Sequence, residues 1–96
     1  MQITDVRIQL IKAPRSKLMA FAEITLDDAL VIKDFQIFSS QRGCFVGMPS
    51  RKMPDGTWRD TIFAINTELA EQIKQTILRA YEDEAVRPEN QPANSR

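Results

Sequence analysis

The sequence contains no histidine. The usual proton carrier of neutral-pH catalysis is therefore missing, and with it every His-containing zinc site. Cys44 is the single cysteine, so no intrachain disulfide forms and a Cys–His nucleophile pair is excluded. Its setting in the apolar run CFV reads as an inert buried thiol. No apolar run approaches the roughly 18 residues that cross a bilayer. The opening MQITDVRIQL has neither the basic region nor the long apolar region of a secretory leader. The expectation is a cytoplasmic protein without membrane insertion.

Glycine is also scarce, with three in 96 residues. GCFVGMPS (43–50) carries no lysine and does not fit the phosphate loop GxxxxGK[ST], and Gly47 reads as a point of close packing or a bulge. Ser39, Ser40 and Ser50 have no visible base. Asp27 and Asp28 sit together at a turn, and Asp55 serves another. The residue types point away from an enzyme, a metal centre or a bound cofactor.

What is present is a chain of one-domain length with 43% apolar residues, enough for one modest core. Thirteen basic and thirteen acidic residues cancel, so overall charge does not make this a nucleic-acid coat. The distribution is uneven. From Arg42 to Arg59 there are four basic side chains against Asp55 alone, and screening makes such a local patch matter more than the total.

Hydropathy alternates at period two through ITDVRIQLI (3–11), with Val6, Ile8 and Leu10 on one face and Arg7 and Gln9 on the other. After the Pro14-containing connection 12–17, LMAFAEITL (18–26) places Leu18, Ala20, Ala22, Ile24 and Leu26 on one face. A third strand covers 29–38, with Val31, Phe35 and Ile37 on one face and Leu30, Ile32 and Phe38 on the other. SSQRG (39–43) reads as a loop, CFVGMPS (44–50) as a fourth strand, and TWRDTIFAI (57–65) as a fifth strand or an extended arm. Short links between successive strands favour an antiparallel meander.

The period changes at residue 66. Asn66 or Thr67 caps a helix whose apolar stripe is Leu69, Ile73, Ile77 and Tyr81, running to about residue 84. The acidic run 82–84 opposes the helix dipole and predicts fraying. The stripe must cover the meander. The fold expected is α+β: a small antiparallel β-meander of about five strands covered by one C-terminal helix, with a domain over 1–84. Residues 85–96 read as a polar disordered tail, with or without a short strand at Ala85-Val86.

MPDG (53–56) predicts a type I turn followed by a bulge. A three-residue loop 54–56 then sets Lys52 opposite Trp58, Arg51 opposite Arg59 and Ser50 opposite Asp60. Lys52 would lie over the Trp58 ring in a cation–π contact. Arg51 facing Arg59 is a like-charge pair that costs a hairpin some stability. A phosphate held between the two guanidinium forks converts that repulsion into charge-assisted contacts. The alternative is a solvated hairpin with each arginine engaged by a carboxylate of its own chain. Arg42, at the other end of the fourth strand, extends the basic character.

The stretch GCFVGMPSRKMPDGTWRDTIFAIN (43–66) resembles the signature of the SpoVG family, the stage V sporulation protein G or septation proteins. ITDVRI, AFAEITLDDALVIKDFQI and the helical Ile73, Ile77, Leu78 and Tyr81 extend the likeness over most of residues 2–84. The resemblance implies a SpoVG-like meander with a covering helix, a homodimer, and a cytoplasmic regulator of septation and sporulation that binds DNA or RNA. It carries nucleic-acid contact onto Arg51 and Lys52, and onto Arg59. Trp58 stands where the family has another aromatic, and Ala64 where it often has proline. Two functions follow as expectations. One is a homodimeric nucleic-acid-binding regulator using Arg51, Lys52, Arg59, Trp58 and Arg42. The other is a non-enzymatic interaction module that meets division proteins.

Overall fold

A computed structural model of the chain describes residues 1–86, and the expected disorder from residue 87 onward lies outside the described residues. Four strands form one antiparallel sheet in chain order: β1 (Ile3–Leu10), β2 (Leu18–Leu26), β3 (Leu30–Ser40) and β4 (Gly43–Gly47). Two short strands, β5 (Ser50–Lys52) and β6 (Trp58–Asp60), pair only with each other. The helix α1 (Thr67–Val86) closes the described chain. This is the α+β meander with a covering helix that the hydropathy pattern predicts, with six strands in two sheets rather than five in one.

The split between the sheets has a chemical cause. Residues 44–50 were expected to form one strand, but β4 stops at Gly47 and β5 begins at Ser50. Pro49 has no amide hydrogen and cannot donate to a ladder, so the strand breaks at Met48-Pro49. The chain leaving β6 is held briefly, where the Thr61 amide donates to the Pro49 carbonyl at 2.7 Å. Beyond Thr61 the connection is an arm without regular structure, with bends at Ile65 and Asn66, and not a continuation of the strand.

One face of the large sheet is the core. Ala20, Ala22, Ile24 and Leu26 of β2, Phe35 and Ile37 of β3, and Val46 of β4 are buried there with Ile73 and Ile77 of α1. Val6, Ile8 and Leu10 pack against this cluster with Ile32, Cys44, Leu69, Leu78 and Tyr81. Cys44 is half-buried. Burial, and after it the neighbouring Cys44 thiol, pushes the Tyr81 hydroxyl above its ordinary pKa.

Two bulges correct the expected facing of side chains. In β3 the ladder runs from Ile24–Ile32 to Ala22–Phe35, so three residues of β3 span two of β2. Asp34, at φ 72, takes the left-handed turn of the backbone that Asp tolerates better than most residues. The inserted residue reverses the alternation. Ile32 therefore shares the core face with Phe35 and Ile37, whereas Val31 lies on the opposite face. A second irregularity, between Leu18 and Ala20, takes Leu18 out of the even-numbered core set.

The tight turns follow from their residues. Asp27 and Asp28 both have positive φ, and the Ala29 amide donates to the Leu26 carbonyl at 2.8 Å, a mirror-image turn suited to the twist of a hairpin. Residues 39–43, expected as a loop, are mostly strand, and only Gln41 and Arg42 connect β3 to β4. At the helix start the Asn66 side-chain oxygen accepts from the Leu69 amide at 2.9 Å, so Asn66 is the cap. Despite the acidic run 82–84, the helix continues to Val86, and the expected alternative of a strand at Ala85-Val86 is not formed.

Candidate nucleic-acid interface

The β5–β6 ribbon is built around its turn. The Gly56 amide donates to the Met53 carbonyl at 2.9 Å and the Met53 amide to the Thr57 carbonyl at 2.7 Å. Gly56 has φ 91, where a side chain would be strained. Asp55 accepts from the Thr57 hydroxyl at 2.7 Å and from the Thr57 amide at 3.0 Å. The hydroxyl and then the amide favour the carboxylate and hold the Asp55 pKa below its ordinary value. The one acidic residue in the basic stretch is thereby folded into the turn.

The ladder is Ser50–Asp60, Arg51–Arg59 and Lys52–Trp58, the register that a loop over 54–56 predicts. Directly opposed residues share a face and successive pairs alternate. The ribbon therefore carries the two arginines on one side and Lys52, Trp58, Ser50 and Asp60 on the other. All four of Arg51, Lys52, Trp58 and Arg59 are exposed. Among the described residues Arg7 pairs with Asp5 at 3.2 Å, and no ion pair or side-chain hydrogen bond engages Arg51, Lys52 or Arg59. The expected cation–π contact is not formed: the ring contact in the described chain is between Phe38 and Phe45, with centroids 5.3 Å apart.

Arg42 stands apart. It lies in the two-residue β3–β4 turn, where its amide donates to the Ser40 hydroxyl at 3.3 Å. A five-residue strand, about 16 Å long, separates it from the Met48-Pro49 break that leads to the ribbon. The structure thus gathers Arg51, Lys52, Arg59 and Trp58 on one element and leaves Arg42 outside it. Among the described residues no group of three or more His, Cys, Asp or Glu gathers to hold a metal ion. None of the described helices is long and apolar enough to cross a membrane.

The rest of the surface holds a second feature, on the face where alternation along the third strand places Phe38. The sheet face away from α1 has no covering layer among the described residues. Phe38 and Phe45 stack on it beside Phe21, and Phe38 lies close over Gly47, where an added Cβ would meet its ring at 3.1 Å. Beside these aromatics, the β3 bulge opens a shallow hollow of about 680 Å³ lined by Arg7, Gln9, Phe21, Glu23, Lys33 and Asp34. The sequence signal was the break in alternation between Ile32 and Phe35.

An open four-stranded meander backed by one helix, with a separate two-stranded basic ribbon, makes a small α+β domain. The SpoVG family profile matches residues 1–83. A protein of Clostridium beijerinckii named "Putative septation protein SpoVG" is 46% identical over 82 residues, covering 85% of this chain and 89% of its own. Its namesake in Clostridium perfringens is 45% identical over 85% of this chain and 90% of that one. One from Macrococcus caseolyticus is 39% identical over 92% and 76%. The chain belongs to the SpoVG family, a family linked to septation.

Proposed function

We propose that this protein is a cytoplasmic, homodimeric nucleic-acid-binding regulator of septation, and that the β5–β6 ribbon is its contact surface. The observation that carries this reading is the Arg51–Arg59 pair, opposed on an exposed ribbon with no carboxylate of the described residues on either guanidinium. Two like charges held side by side cost stability, and a bound phosphate removes that cost through charge-assisted contacts. On the other side of the ribbon Lys52 supplies a further phosphate contact and Trp58 a face for base stacking. A two-stranded ribbon is also slim enough to enter a DNA major groove. Dimerisation doubles the basic surface at a fixed spacing, which offsets the neutral total charge.

The test is fluorescence anisotropy with randomised DNA and RNA pools across a salt series. Wild type should bind with affinity falling steeply as salt rises, and the Arg51→Ala, Lys52→Ala, Arg59→Ala triple variant should bind little at any salt. Unchanged affinity between low and physiological salt would overturn the reading. A second reading, an interaction module for division proteins, draws support from the apolar residues exposed near the ribbon. It predicts that Arg51→Ala with Lys52→Ala abolishes nucleic-acid binding and leaves division intact in cells.

A further inference from the structure

Two apolar surfaces of this chain face solvent, and neither is part of the buried core or packed on it. The first is the arm, residues 61–65. Phe63 is 68% exposed and Ile65 94% exposed, with Ile62 beside them. Among the described residues, 62–65 make no hydrogen bond that would tie the arm to the rest of the chain. The ribbon before the arm has the same deficit. It is an isolated pair of three-residue strands in which every residue of β6 is exposed, and an isolated hairpin is marginal in water without packing. The second surface is the open sheet face, where Phe45 is 51% exposed on its stack with Phe38.

From these we infer that the arm of one protomer lies across the Phe21–Phe38–Phe45 face of a second copy, and the reverse. This rests on the homodimer proposed for the protein and adds the surface that makes it. Three observations select a second copy as the occupant. An apolar donor and an apolar acceptor on one chain that do not meet each other satisfy each other reciprocally across a two-fold axis. The tail from residue 87 to 96 contains no Val, Leu, Ile, Met or aromatic residue, so its sequence offers no large apolar side chain to match either surface. The hollow beside the aromatics carries Arg7 and Lys33 with Glu23 and Asp34, a balanced set that suits a self-complementary rim and not a polyanion. Six apolar side chains per protomer, at on the order of 100 Å² each, bury about 1,200 Å² in the pair, the lower bound for a stable specific interface.

The test is inter-protomer crosslinking in a Cys44→Ser background. Protein with Ile65→Cys alone is mixed with protein carrying Gln36→Cys alone, a face residue paired with Phe21 and Gly47, and treated with a short bismaleimide. The expected product is a mixed arm-to-face dimer, formed faster than either self-crosslink. Light scattering should show wild type as a dimer and both Phe63→Asp and Phe45→Asp as folded monomers, since neither side chain is buried within one chain. Faster self-crosslinking, or dimers that survive both substitutions, overturns the arm exchange while leaving the homodimer standing. A Phe45→Asp protein that stays dimeric but no longer binds nucleic acid also overturns it, by assigning the face to bases. A wild type that is monomeric at tens of micromolar removes the homodimer itself.

Discussion

Asn66 ends the arm and begins the helix, and its side chain occupies the one free amide that its geometry reaches. Asn66→Ala should cost about 1 kcal/mol in urea unfolding, the usual loss for a cap oxygen. Ile77 is fully buried where α1 meets the sheet. Ile77→Ala leaves a cavity in a small core and should cost about 2–5 kcal/mol by the same measurement. Ile77 was legible in the sequence because a four-residue apolar spacing is local, and capping chemistry narrowed the cap to Asn66 or Thr67. Asp34 was not. Its backbone conformation is imposed by the ladder on both sides, and a lone aspartate in a strand gives no sign of that.

At the scale of elements, β1, β2 and α1 emerged from alternation and periodicity with boundaries close to those observed. The errors fell where one residue changes the count. The insertion at Asp34 exchanged the faces of β3, and Pro49 cut a seven-residue strand into two pieces belonging to different sheets. The ribbon register was readable because MPDG fixes a loop length, and loop length fixes pairing. The turn also carries a titration. Since the Thr57 hydrogen bonds lower the Asp55 pKa, they favour the folded turn while the carboxylate is charged. That contribution is complete above the ordinary value of 3.8 and is lost as pH falls through the lowered one. The Thr57 amide should therefore keep its hydrogen-bonded NMR shift down to about that value and lose it below. Asp55→Ala should lack it at every pH.

For the whole molecule, the fold could be read from one chain, whereas the candidate site could be read only in part. Which residues are basic and how they pair are properties of the ribbon. Whether they are free of carboxylates depends on everything packed around them, and spacing could not say. The measurable consequence is ionic. Removing a single basic side chain that touches phosphate should flatten the dependence of log affinity on log salt by about 1. The triple ribbon variant should show a shallower slope than Arg42→Ala, which lies outside the ribbon.

The break at Met48-Pro49 divides labour along the chain. Residues that make the protein fold sit in the large sheet and α1, while the ribbon is attached through a short junction and shares none of the buried cluster. Changes in the ribbon and changes in the core should then act independently. The surface that the ribbon presents can thus be altered without renegotiating how the chain folds.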